Sequence, residues 1–354
     1  KTVEKPAAPV SAASPEAKPA VVEPSVTVPP SLQVDRKAVG CIFPLTGRFA
    51  NEANKALDAA ILSAKIFDQR APSPWKIVVA DSGETPEGMK AAVAYLAEKA
   101  NVMAIIAVSG AAEADEAASE AQKRKVPLIL IASKEGVTQA GEYVFQHFLT
   151  PTQQTEALTR YAMDTLNVAI FSILYPQDAY GEEMLRLFQS ETQKVGGKVI
   201  RSIPYSKTQT DFTEQILKLT GNKTGKPEKV YATTEEARSK LPLDFEALYI
   251  PDSAFRIKMI TSQLAFYNVK GMKLLGTSLW QSTDLLKKGS EYLDGAFFAD
   301  SFFVNGFLPE TNDFVDRYYS TYSREPGNLE ALSYDTMDLV LSILESQNIQ
   351  TRAE

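Results

Sequence analysis

Apolar residues fall into two recurring patterns along this chain. Short, nearly unbroken apolar runs stand at 38–43, 76–80, 102–108 and 127–132. Longer stretches between them carry apolar positions every three to four residues. Ala56, Leu57, Ala60, Ile61, Ala64 and Phe67 fall on one face of a helix over 51–68. Apolar runs without polar alternation are what a parallel strand covered on both faces requires. The pattern therefore predicts four such strands, each followed by a helix. Thr85-Pro86 puts a capping hydroxyl and a first-turn proline at the start of the second helix.

A short strand over 143–148 closes this first unit. Thr150-Pro151-Thr152-Gln153 then supplies a cap, a first-turn proline and a capping-box glutamine. The alternation restarts with strands at 168–175, 198–205, 247–250, 273–275 and 295–299. Helices are expected at 180–195, 211–219 and 253–267, and two more at 312–322 and 329–345. The fold class is α/β: two tandem parallel-sheet lobes with a boundary near 148–151. Residues 36–148 with part of 326–354 form one lobe and 149–325 the other.

Residues 1–35 are a different material. They hold seven of the twenty prolines and neither glycine nor an aromatic residue. Such a segment buries too little surface to offset its ordering, so it reads as an extended linker reaching on the order of 100 Å. A linker has something on both ends, so an upstream domain or membrane anchor is expected before Lys1. Residues 221–244 are polar and interrupt the second unit as an insertion.

The chain has 354 residues, 44% hydrophobic and 23% charged, with a net charge of −7. This excludes a disordered chain or a disulfide scaffold. The acidic balance argues against nucleic acid as a partner. No apolar stretch reaches the roughly 18 residues of a membrane helix. One cysteine, Cys41, and one histidine, His147, exclude an intrachain disulfide and a histidine-pair metal site. His147 stands between Phe145 and Phe148 and reads as a hinge-adjacent structural residue. No Gly-x-Ser-x-Gly elbow is present. The run Gly221 to Lys226 falls one residue short of a phosphate loop and has Pro227 where Ser or Thr is needed. Asn222-Lys223-Thr224 matches a short glycosylation pattern that arises often by chance. No catalytic residue, metal ligand or cofactor is expected.

Binding remains. In parallel α/β sheets, ligands gather at the loops following the carboxyl ends of the strands. In the first lobe these loops offer Thr46, Arg48, Phe49, Ser109, Gly110, Ala111, Ser133 and Lys134. In the second they offer Asp178, Tyr180, Asp252, Ser278 and Trp280. Backbone amides and hydroxyls at helix N-termini suit an anionic group. Arg48 suits a carboxylate or phosphate. Tyr180 and Trp280 are candidate aromatic walls. Gly47 and Gly110 read equally as turn residues, and Asp178 equally as a helix cap.

Pro44-Leu45-Thr46-Gly47, Val126-Pro127-Leu128-Ile129 and Leu174-Tyr175-x-x-Asp178-x-Tyr180-Gly181 resemble type I periplasmic binding proteins of the leucine/isoleucine/valine-binding kind. So do Gly196-Gly197, Thr210-Asp211-Phe212 and Tyr334-Asp335. The resemblance spans roughly 36–345. Ala132 to Thr138, Gln263 to Tyr267 and Leu275 to Ser278 bring it nearest to the penicillin-binding-protein-activator and receptor-like lipoprotein branch. It implies two Rossmann-like lobes joined by three crossovers, closing on a ligand between them. It also implies an extracytoplasmic location, with membrane anchoring through the segment before Lys1. Tyr180 matches an aromatic ligand contact of the family, and Asp252 lies near its acidic ammonium receptor. Gly110-Ala111 and Ala132-Ser133-Lys134 replace the family's carboxylate-holding Ser and Thr, which argues against an ordinary branched amino acid.

Two functions follow as expectations. One is a receptor for a small polar or anionic solute, amino-acid-like, serving a membrane permease. The other is a lipoprotein module regulating a cell-wall synthase without transport.

Overall fold

The computed structural model describes residues 34–68, 72–221, 243–282, 285 and 290–354. The proline-rich segment before residue 34, the phosphate-loop-like run beyond Gly221 and the glycosylation pattern lie outside these residues.

Ten strands and nine α-helices are described. Strands β1 (Asp35–Phe43), β2 (Lys76–Asp81), β3 (Val102–Val108), β4 (Leu128–Ile131) and β5 (Val144–Gln146) form one parallel sheet in the order β2-β1-β3-β4-β5. Strands β6 (Ile170–Pro176), β7 (Lys198–Tyr205), β8 (Ala247–Tyr249), β9 (Lys273–Gly276) and β10 (Phe297–Phe298) form a second, ordered β10-β9-β8-β6-β7.

The unbroken apolar runs bury both faces of each sheet. Along β1, Ala38 and Ile42 pack beneath α2 (Pro86–Glu98) and α3 (Ala111–Arg124). Val39, Cys41 and Phe43 point the other way, toward α1 (Ala50–Ser63) and α9 (Asn328–Ser346). Burial pushes the Cys41 thiol up to about 12, so it is an inert core side chain. In the second sheet, Phe171, Ile173 and Tyr175 face α4 (Pro151–Asp164) and α5 (Ala179–Lys194). Leu174 and Leu248 face α6 (Thr213–Leu219) and α7 (Ala254–Phe266).

Local signals fix the helix starts. Thr85 accepts from the Gly88 amide, and Thr150 and Gln153 form a reciprocal capping box. The first turn of α5 lies so close to β6 that a Cβ on Gly181 would sit 1.9 Å from the Pro176 carbonyl oxygen. Only glycine permits that approach.

Two expectations change. β4 is followed by a single 3-10 turn, Val137–Ala140, rather than a helix. The run after β4 is too short and too rich in glycine to hold several helical turns. Helix α8 (Pro309–Tyr322), assigned by its position in the chain to the second lobe, packs on the first. Its Tyr318 and Tyr322 hydroxyls donate to the carbonyls of Lys55 and Asp58 in α1. Because α8 and α9 both dock on α1, the described residues pass between the lobes at 147–150 and 299–308. The chain finishes on the first lobe, where Arg352 donates to the carbonyls of Ala97 and Val102.

Candidate functional site

The first turn of α4 brings the two strand-end edges together. The Thr152 amide donates to Glu135 Oε1 in the loop after β4, at 2.9 Å. Gln154 Oε1 accepts from the Ser278 amide in the loop after β9, at 3.1 Å. One helical turn therefore touches strand-end loops of both lobes, which places those loops on the same side of the molecule.

In the first lobe, Asp81 organises the loop after β1. Its Oδ1 accepts from the Leu45 and Gly83 amides, and its Oδ2 from Thr46 Oγ1 at 2.7 Å. Burial alone would raise this carboxyl, but the hydrogen bonds from Thr46, Gly83 and Leu45 outweigh it and hold it below the usual range. Thr46 is thus committed within its own loop. Gly47 takes a positive φ of 99°, the turn role. The Arg48 side chain is 85% exposed, 3.6 Å from Glu84 Oε2, with its guanidinium over the Phe49 ring. Phe49 is itself exposed.

At the end of β3, Ser109 Oγ is buried and has no hydrogen-bond partner. Gly110 is the N-cap of α3 and is exposed, as is Ala111 beyond it. Ser133 is exposed, and Lys134 reaches Asp115 at 3.3 Å. These positions supply hydroxyls, amides and cations at one edge.

The second lobe presents hydroxyls and engaged carboxylates. Tyr180 Oη donates to Thr277 Oγ1 at 3.2 Å, and burial raises its phenol. Asp178 caps α5 through the Gly181 amide, and Lys207 Nζ lies 2.9 Å from its other oxygen. Burial alone would raise the Asp178 carboxyl. The Gly181 amide and Lys207 overcome that and lower it. Tyr205 Oη donates to Asp252 Oδ2 at 2.5 Å, and the Ser253 amide donates to Asp252 Oδ1 at 2.6 Å. Burial first, then Asp252, keeps the Tyr205 phenol protonated.

Trp280 is not an aromatic wall. It is 2% exposed, and its indole N–H donates to the Ile250 carbonyl at 3.1 Å. It stacks beneath Gly276, where a Cβ would lie 2.2 Å from the indole. The short helix after β9 turns the residue inward. Sequence reasoning named Tyr205 only as part of the strand-end loop Tyr205-Ser206, and missed Lys207 and Arg256. Arg256 donates to the carbonyls of Lys207 and Gln209. Its place on an amphipathic helix gave no sign of that reach.

Two cavities adjoin this region. One of about 860 Å³ lies between the start of α7 and the loop after β9, lined by Phe255, Met259 and Leu279. Another of about 620 Å³ lies at the crossovers, lined by His147, Arg160 and Ser301. Among the described residues no cluster of three or more metal-binding side chains occurs, and no helix is long and apolar enough to cross a membrane.

Comparison with known proteins gives a consistent result. No curated protein matches the sequence. A solved structure described as a branched-chain amino acid ABC transporter from Rhodospirillum rubrum superposes with a TM-score of 0.76 at 16% identity, covering 89% of this chain and 86% of that one. A leucine-binding protein from Thermotoga maritima gives 0.60 at 20% identity, covering 89% and 85%. A solute-binding protein from Rhodopseudomonas palustris, in complex with 3,4-dihydroxybenzoic acid, gives 0.61 at 19% identity, covering 89% and 82%. None of these three is described as a penicillin-binding-protein activator, and at these identities they bear on the fold. Residues 38–354 match the profile of a family described as periplasmic binding protein, whose name places it outside the cytoplasm. With its two five-stranded parallel lobes and its polar strand-end loops, this chain belongs to the periplasmic binding protein family.

Proposed function

We propose that this protein is a solute receptor whose lobes close on a small polar or anionic molecule and hand it to a membrane permease. The observation that carries this reading is the junction at α4, whose first turn contacts strand-end loops of both lobes. The polar edges of both sheets thereby border one space.

Closure follows from differential contact. A ligand that touches Arg48, Ser109 and Lys134 on one side and Tyr180 and Ser278 on the other gains its full set of hydrogen bonds only when the lobes approach. It shifts the open–closed equilibrium by that difference in affinity. The passages at 147–150 and 299–308 are the places where backbone rotation produces the movement. Two of the structures named above are described as a leucine-binding protein and as a complex with 3,4-dihydroxybenzoic acid, which supports a small carboxylate here.

The test is thermal stability of the full chain against amino acids, oxo acids, aromatic carboxylates, nucleosides and muropeptide fragments. A ligand at about 100 times its dissociation constant stabilises by about 2.7 kcal/mol. One chemical class is expected to raise Tm, and Arg48→Ala or Tyr180→Ala to remove the shift. A flat response to every class would overturn the reading.

A further inference from the structure

We propose that the ligand carries no ammonium group, and that Tyr205 enforces this by occupying Asp252. The inference rests on the solute-receptor reading and names its ligand class.

An α-ammonium group leaving water needs a carboxylate oxygen ready to receive it. Four carboxylates at the strand ends, after β2, β4, β6 and β8, already accept hydrogen bonds. Both oxygens of Asp81 hold the loop after β1. Glu135 holds the first turn of α4. Asp178 has one oxygen on the Gly181 amide and the other beside Lys207. Asp252 has one oxygen on the Ser253 amide and the other on the Tyr205 phenol.

The Tyr205 contact is built to last. Its ring is 1% exposed and meets Phe212 edge to face, with centroids 5.2 Å apart. Swinging the phenol off Asp252 would tear this ring from the core. The Arg256 guanidinium is anchored next to it on the Lys207 and Gln209 carbonyls. A cation approaching Asp252 therefore meets a carboxylate that already accepts one hydrogen bond at each oxygen, with the Arg256 guanidinium anchored nearby. Like charges there oppose it further.

Donors show the opposite state. Ser109 Oγ is buried without a partner. Arg48 is largely exposed and makes only a loose contact with Glu84. Ser109 Oγ and the Arg48 guanidinium are thus left as donors for a ligand, which suits a carboxylate whose second carbon bears an oxo group or an aromatic ring.

The experiment is calorimetric titration of the full chain with two matched pairs, L-leucine against 4-methyl-2-oxopentanoate and L-phenylalanine against phenylpyruvate. Members of a pair differ only at C2. The oxo acid of at least one pair is expected to bind at least tenfold more tightly than its amino acid. Tyr205→Phe keeps the ring and frees Asp252 Oδ2, so it should reduce that ratio at least tenfold. If Tyr205→Phe fails to fold, Asp252→Asn replaces it and should leave oxo-acid affinity within about threefold. An amino acid bound as tightly as its oxo acid, a ratio unmoved by Tyr205→Phe, an oxo-acid affinity that falls more than threefold in Asp252→Asn, or no binding by either pair would overturn the inference. The receptor reading itself falls only if the wider thermal panel is also flat.

Discussion

Nδ1 of His147, in the first passage between the lobes, lies 2.8 Å from Oγ1 of Thr336 in α9. Thr336 Oγ1 donates its own proton to the Leu332 carbonyl at 2.5 Å. It must therefore accept from the imidazole, which places a proton on Nδ1. A hinge residue is thus tied to a helix 189 positions later. Thr336→Val keeps the shape of this fully buried side chain but removes the acceptor. The variant should lose about 1 kcal/mol, a Tm drop of roughly 2–4 °C for a domain of this size. An unchanged Tm in differential scanning calorimetry would show that the contact is idle.

Asp300, in the second passage, predicts a pH dependence. Its Oδ1 accepts from the Ser301 amide and Asn328 Nδ2, both at 2.7 Å, while Oδ2 is buried without a partner. Burial raises its carboxyl despite the bonds from Ser301 and Asn328. A raised acid binds its proton more tightly in the folded state. Its contribution to stability is fully present below the unfolded value near 3.9 and is lost as pH rises through the folded value. Wild type should lose stability relative to Asp300→Asn as pH rises above the unfolded value near 3.9 and through the raised folded one. Parallel Tm curves for the two proteins over that range would contradict this.

Asp81 has the opposite sign. The hydrogen bonds that outweigh its burial lower its carboxyl, so its contribution is present above the unfolded value and is lost as pH falls through the lower folded one. Thr46→Val removes one of these bonds. Carbon-detected NMR titration should find the Asp81 midpoint moved upward in the variant, toward the ordinary carboxylate range. A midpoint that stays in place would mean the loop is held by the backbone amides alone.

Trp280 separates stability from binding. Its burial under Gly276 and its bond to the Ile250 carbonyl make it a core residue, so Trp280→Ala should destabilise by roughly 3–5 kcal/mol. Under the receptor reading, ligand affinity of the folded fraction should change far less than in Tyr180→Ala. Chemical denaturation read beside titration distinguishes the two. Loss of affinity with stability intact would return Trp280 to the ligand surface.

Arg352 seals the base of the first lobe. Burial lowers its guanidinium, which donates at 2.9 Å to both Ala97 O and Val102 O. These are charge-assisted bonds to the end of α2 and the start of β3. Arg352→Ala should cost about 1.5–3 kcal/mol, seen as faster hydrogen exchange at those elements. Unchanged exchange there would show that the tail does not support the sheet.

The sequence by itself determined what neighbouring residues decide. Unbroken apolar runs such as Val102–Val108 could be buried only between two layers of helix, so the parallel sheets were legible before any coordinates. Thr85 and Thr150 announced their helices because a cap is formed within three residues. The strand-end loops could be named for the same reason, since each strand's end marks its loop. Tertiary structure alone decided which side chains in those loops remain available. Tyr205 reaches Asp252 across 47 positions, and Tyr318 reaches α1 across 263. Neither spacing leaves a periodic trace. Trp280 turned inward because a three-residue helical turn set its direction, and α8 joined the first lobe because α1 offered its carbonyls. Local propensity wrote the layers, and long-range hydrogen bonding and packing chose the partners within them.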